Sequence, residues 1–294
     1  MWLAVLILVA FGAGTAAGYW LIPHPALDPW AEVERQMEAI RAEVLPAQGF
    51  ATKIVLGDVI PKLVEAGVID PAKFEQIYSR RGGLTAEQKA YFTAPSQTPL
   101  KITKDNEQFI VNILWPLGIA NKNSILATSE AGKPENVNNL AATGGWTLGK
   151  SENGGDYYNK FEIIKLTPEQ DALVKRVADN IYRPCCGNST AFPDCNHGAA
   201  VLGMLQLGAV SGMTEKELYE EALKLNSFWF PDEYFKTAMF FKRLQNKAWK
   251  DVDPKVILSA DYSSSRGWAK NVALPLAGLP GIGGGGGGGG SCGA

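Results

Sequence analysis

The sequence predicts a mainly α-helical fold: one helical globular domain with a small β-hairpin or long-loop region, behind an N-terminal transmembrane helix or signal segment. Three observations carry this reading. Thr85-Ala86-Glu87-Gln88, Thr167-Pro168-Glu169-Gln170 and Thr214-Glu215-Lys216-Glu217 repeat the capping-box pattern, in which a Thr hydroxyl and a Gln or Glu three residues on satisfy each other's backbone N–H groups. Apolar residues recur at helical spacing, as in Leu173, Val174, Val177 and Ile181. No charged side chain occurs from Trp2 through Ile22, a length that suits a bilayer crossing.

The amino-terminal segment, residues 1–23, therefore reads as a membrane anchor or signal. The small residues Gly12-Ala13-Gly14-Thr15-Ala16-Ala17-Gly18 suit signal-peptidase cleavage, whereas the missing basic flank and the continuation Tyr19-Trp20-Leu21-Ile22 suit a retained anchor. We favour the anchor, with residues 2–22 in the cell membrane and the domain on its extracytoplasmic side. The acidic start of the body, Asp28, Glu32 and Glu34, offers little resistance to export. Cleavage, giving a secreted or periplasmic protein, is the alternative. His24, between Pro23 and Pro25, reads as a loop residue at the interface.

Residues 24–278 form the predicted domain. Asp28 to Val44 reads as an amphipathic helix, Lys53 to Gly67 as a second, and Asp70-Pro71 opens a third running toward Arg80. Asn106 to Leu117 is an apolar helix with a kink expected near Pro116. Thr143 to Leu166, with its paired glycines and the run Phe161-Glu162-Ile163-Ile164, is the place for a hairpin or a long loop. From Thr167 a helix runs until Pro184 disfavours a helical Arg183. Between Cys195 and Met213 no Lys, Arg, Asp or Glu occurs, so a central buried helix is expected there, capped by Asp194. Pro231 to Gln245 adds an aromatic helix.

Chemistry concentrates in one segment. Three of the four cysteines and one of the two histidines fall within thirteen residues, in Arg183-Pro184-Cys185-Cys186-Gly187-Asn188-Ser189-Thr190-Ala191-Phe192-Pro193-Asp194-Cys195-Asn196-His197-Gly198. Thiolate and imidazole bind soft and borderline metals, so Cys185, Cys186, Cys195 and His197 are the candidate ligands, with Asp194, Met204 and Cys292 as auxiliaries. A helix end before the vicinal pair and a helix start at Cys195 would bring the groups together. The positive end of that helix would favour a thiolate at Cys195. The spacing is neither a zinc-finger pattern nor a c-type haem attachment sequence, and three sulfurs with one nitrogen suit Zn(II), Cu(I) or an iron–sulfur cluster. A vicinal disulfide, a stapling disulfide to Cys195, or inert packing are the competing readings.

The motif, together with Asn226-Ser227-Phe228-Trp229-Phe230-Pro231 and Thr143-Gly144-Gly145-Trp146, resembles an uncharacterised family of exported bacterial proteins. The resemblance implies export and no particular activity. A fainter similarity, to bacterial lipoproteins with a Pro-Cys-Tyr-Cys-Gly-Cys motif, rests on clustered cysteines ahead of a Gly-containing helix. That hexapeptide does not occur in this chain, and no residue roles follow from it.

Composition narrows the function classes. A chain of 294 residues with net charge −2 and 20% charged residues has no basic patch or arginine-rich tract, which speaks against nucleic acid as a partner. The Gly-x-Ser-x-Gly elbow, the P-loop and His-Glu-x-x-His are missing, and Gly144-Gly145 and the terminal glycines lack the strand-to-helix context of a dinucleotide fingerprint, so no enzymatic reaction is assigned. Residues 279–294 read as a disordered glycine-rich tail, Gly283 through Gly290 being unbroken glycine, with Cys292 near its end as a tethered thiol for a thiol- or metal-exchange partner. Three functions are thus expected in order: metal handling or electron transfer at a Cys-Cys-x8-Cys-x-His site, thiol–disulfide redox chemistry with the same cysteines and Cys292, and a structural surface protein held by disulfides.

Overall fold

The computed structural model describes residues 29–278. The described residues divide into two units between Ala39 and Ile40. The described part of the first unit is the opening of helix α1 (Pro29–Val44), where Glu32 pairs with Arg35 at 2.6 Å. The expected anchor, residues 2–22, and the tail with Cys292 lie outside the described residues. Among the described residues no helix is long and apolar enough to cross a membrane.

The second unit is mainly helical with one two-stranded antiparallel sheet. Strand β1 (Phe50–Gly57) is followed by α2 (Val59–Glu65), α3 (Pro71–Ser79) and α4 (Ala86–Ala90); β2 (Ser96–Ile102) then pairs with β1 in the register Phe50↔Ile102. Next come α5 (Glu107–Ala120), α6 (Ser124–Thr128), α7 (Pro168–Ala178), α8 (Asn196–Val210), α9 (Glu215–Trp229) and α10 (Pro231–Leu244), and short helical turns close the body up to Leu276.

Several elements form as their local chemistry dictates. The capping boxes at Thr85, Thr167 and Thr214 are all made, and Asp70 accepts from the Ala72 N–H ahead of Pro71. Each satisfied cap of this kind stabilises its helix by about 1 kcal/mol. Other expectations are corrected. Residues 53–57 belong to a strand, because Thr52, Ile54 and Leu56 alternate inward while Ala51 and Lys53 face out. Gly57, at φ +55°, breaks that strand, and only then does α2 begin. The sheet therefore lies at Phe50–Gly57 and Ser96–Ile102. Thr143–Leu166 is the long-loop form of its expectation, with a 3-10 turn at Gly154–Tyr157 and an isolated bridge from Phe161 to Asn121.

The core is organised around α8, whose residues from Asn196 through Ala209 are all buried. It packs along α5, which continues through Pro116 to Ala120. Glycine makes this approach possible at two points. A Cβ on Gly118 would overlap the Ala199 carbonyl, and one on Gly203 would overlap the Leu114 carbonyl. With backbones this close, burial of residues such as Trp115, Val201 and Leu202 removes apolar surface from water along the whole seam. Asn121 Nδ2 donates to Gln206 Oε1 at 2.6 Å across it, so these two buried amides satisfy each other. The rigid α8 sets the position of its own amino terminus, and with it the site.

Candidate metal centre

Three segments converge at the start of α8. Helix α7 ends at Ala178 rather than running on to Arg183, and the chain turns back on itself: Thr190 donates its N–H to the Ile181 carbonyl at 2.8 Å and its hydroxyl to the same oxygen at 3.1 Å. This closes a loop over residues 181–190, from whose rim Cys185 and Cys186 project. The Ser265 N–H donates to the Cys186 carbonyl at 2.9 Å and ties the loop to the carboxy-terminal turns. Asp194 was the expected cap of α8, but the cap is Cys195, whose Sγ accepts the Gly198 N–H at 3.4 Å. The reason is local. The Asp194 carboxylate is drawn away to Asn188 Nδ2 at 2.7 Å and to Arg183 Nη2 at 3.3 Å, which leaves the sulfur facing the unpaired N–H groups.

The result is a three-sulfur cluster. The Sγ atoms of Cys185, Cys186 and Cys195 all lie within 4.8 Å of one another, and those of Cys185 and Cys195 are 3.8 Å apart, far beyond the roughly 2.05 Å of a disulfide. Cys195 is buried at the floor, whereas Cys185 and Cys186 are half-buried at the rim. These three residues can hold a metal ion. His197, the fourth expected ligand, is not in this set: neither of its nitrogens joins the mutually close atoms. Its ring lies 4.8 Å from Phe230 and 5.5 Å from Trp229, measured between centroids, and its buried Nδ1 makes no hydrogen bond within the protein. Met204 is fully buried in α8, two turns beyond His197, and Cys292 lies outside the described residues.

Charge explains how sulfur is accommodated here. Arg183 is fully buried, donating from Nη2 to Cys186 Sγ at 3.0 Å and from Nη1 to Thr190 Oγ1 at 3.3 Å. Burial works against its charge, but the surrounding Cys195, Cys186, Cys185 and Asp194 outweigh that and hold the guanidinium more firmly protonated than an ordinary arginine. A permanent cation thus faces Cys186 and a helix amino-terminal N–H faces Cys195, and each contact favours the thiolate form of its sulfur. The Cys186 thiol shows the balance within the cluster. A hydrogen bond with Cys185 lowers its pKa, yet the hydrogen bond with Cys195 and burial prevail and hold it above the ordinary value. Burial also raises Asp194, helped by the charge of Cys195. His197 is pushed down to about 4 by burial, so its ring is neutral at pH 7.

Sequence reasoning located the sulfurs and missed the cation. Arg183 stood in the motif without a role, although it is the motif's one basic residue flanked by apolar Ile181 and Tyr182 on one side and Pro184 on the other. A charge in so apolar a setting was the available signal, since such a group is buried only with partners. Neither a protein-family model, nor a curated protein, nor a solved structure matches this chain.

Proposed function

We propose that this chain binds a thiophilic metal ion through Cys185, Cys186 and Cys195 and serves in metal handling or electron transfer. One observation carries the reading: three sulfurs from two separate segments lie within 4.8 Å of one another. Two sulfurs bound to one ion at about 2.3 Å stand about 3.8 Å apart at a tetrahedral angle, which is the spacing of Cys185 and Cys195. The buried Arg183 and the start of α8 offset the negative charge that clustered thiolates create. Export and anchoring through residues 2–22 belong to the same proposal and rest on the uncharged amino terminus. So does exchange of metal or thiol equivalents through Cys292. Elemental analysis of the full chain, purified without chelator, tests the reading. Metal at one equivalent or more per chain in the wild type, and none in the Cys185→Ser, Cys186→Ser, Cys195→Ser triple variant, is the expected result.

The same 3.8 Å separation favours a second reading, in which Cys185 and Cys195 interconvert between dithiol and disulfide. Purified protein without metal but with a reversible Cys185–Cys195 disulfide would select it.

A further inference from the structure

Resting on the metal reading above, we infer that the centre takes a single soft monovalent cation, Cu(I), in a three-coordinate shell made only of sulfur, with its open side toward the half-buried Cys185 and Cys186. The first argument is size. Bonds of about 2.3 Å place sulfurs about 3.8–4.0 Å apart around one ion, tetrahedral or trigonal, whereas a multi-iron cluster spreads three cysteine sulfurs over more than one iron and so holds at least one of them farther from the others. The cysteines here, mutually within 4.8 Å and at 3.8 Å for one pair, enclose room for one ion.

The second argument concerns the fourth ligand. Both oxygens of Asp194 are already committed, Oδ1 to Arg183 Nη2 at 3.3 Å and Oδ2 to Asn188 Nδ2 at 2.7 Å. His197 packs against both Trp229 and Phe230, and the Trp229 indole is itself pinned by donating to the Glu107 carbonyl at 3.0 Å. Neither nitrogen of His197 belongs to the mutually close set that the three sulfurs form. The next residue of α8, Gly198, leaves no room for a Cβ beside the Arg183 guanidinium, so the first turn is packed tightly where His197 stands. The described residues therefore supply three donors, all of them sulfur. Zinc in structural sites takes four, whereas a soft monovalent ion is satisfied by thiolates alone. Arg183, against Cys186, offsets part of the excess negative charge that three thiolates leave around such an ion. Because Cys185 and Cys186 reach solvent while Cys195 does not, an incoming thiolate from an acceptor would add at the open side and displace a rim cysteine, the ion moving without change of oxidation state.

The test uses the full chain, reduced and stripped of metal, loaded separately with Cu(I) from a competing Cu(I) chelator and with Zn(II). Metal-to-protein ratio and metal-edge X-ray absorption are read for the wild type and for His197→Gln. One Cu(I) per chain with three sulfur neighbours and no nitrogen, unchanged in His197→Gln, and displacement of bound Zn(II) by Cu(I), is the expected result. A nitrogen neighbour in the wild-type spectrum, more than one ion per chain, or Zn(II) that Cu(I) fails to displace would each overturn the inference and leave the metal reading standing. Binding of neither ion would overturn both. The wild-type spectrum decides even where the variant does not fold.

Discussion

The guanidinium of Arg183 rests against Gly198: a Cβ built on that glycine would stand 2.7 Å from both Cζ and Nη2, closer than such atoms approach. The absence of a side chain at one position of α8 is what lets a buried cation lie beside three cysteines. Gly198→Ala should therefore act on the site rather than on the helix. Alanine improves intrinsic helix propensity by about 1 kcal/mol, but Arg183 is fully buried and cannot swing into solvent, so overpacking should prevail with a net loss of about 1–3 kcal/mol. Gly187→Ala, in the 181–190 loop with nothing within 4 Å of the added carbon, should change stability by less than about 0.5 kcal/mol. Urea unfolding of the two metal-free variants checks the contrast, and equal midpoints would refute it.

Local signals and tertiary placement account for what the sequence made legible. Helices α7 and α9 were readable because Thr167 with Gln170, and Thr214 with Glu217, complete their caps within four residues. Strand β1 was not, because Ile54 and Leu56 alternate while Val55 between them is also apolar, and the run merges into Val59, Ile60 and Leu63 of α2. Only the left-handed Gly57 separates the two periods. At the site, clustering of thiols was visible as a concentration of residue types. The cap shifted by one residue because Arg183 and Asn188 capture the Asp194 carboxylate, and both contacts depend on the closed 181–190 loop. His197 was grouped with the cysteines by proximity in sequence, although residues two apart on a helix face different ways.

Cys195 has two duties, and Cys195→Ser separates them. As the cap of α8 its sulfur accepts from Gly198 at 3.4 Å; serine is a better capping residue and can accept the same N–H. Metal-free Cys195→Ser should thus be no less stable than the metal-free wild type. Its ion affinity should fall by at least tenfold, with loss of the stabilisation that ion gives to the folded state. Thermal melts with and without ion would show it: a metal-free variant far below the metal-free wild type would mean that the sulfur is needed for packing.

His197 makes stability depend on pH in a defined direction. Burial lowers its pKa from an ordinary 6.5 to about 4, so between those values the unfolded chain binds a proton that the folded chain does not. Stability present above pH 6.5 is therefore lost as pH falls toward 4, by up to about 3 kcal/mol at 1.36 kcal/mol per pH unit. Carboxylates contribute in the same range, so the comparison is with His197→Gln. The metal-free variant should show a visibly flatter decline between pH 6.5 and 4, measured by urea unfolding. Parallel curves would place the imidazole in water when folded.

Thiol labelling should report both burial and shared ligation. In the reduced, metal-free chain, Cys185 and Cys186 are half-buried whereas Cys195 is 3% exposed, so a maleimide should modify the vicinal pair first and Cys195 only after local opening. Peptide mapping by mass spectrometry resolves the order. Adding the ion should slow all three together, because each sulfur within the 4.8 Å cluster donates its lone pair to the same centre. The vicinal cysteines make this a stringent comparison, since both are half-buried but need not share a ligand. Protection of Cys186 with Cys185 and Cys195 still reacting at their metal-free rates would show that the ion sits at the rim on one sulfur, outside the cluster formed by the loop and α8.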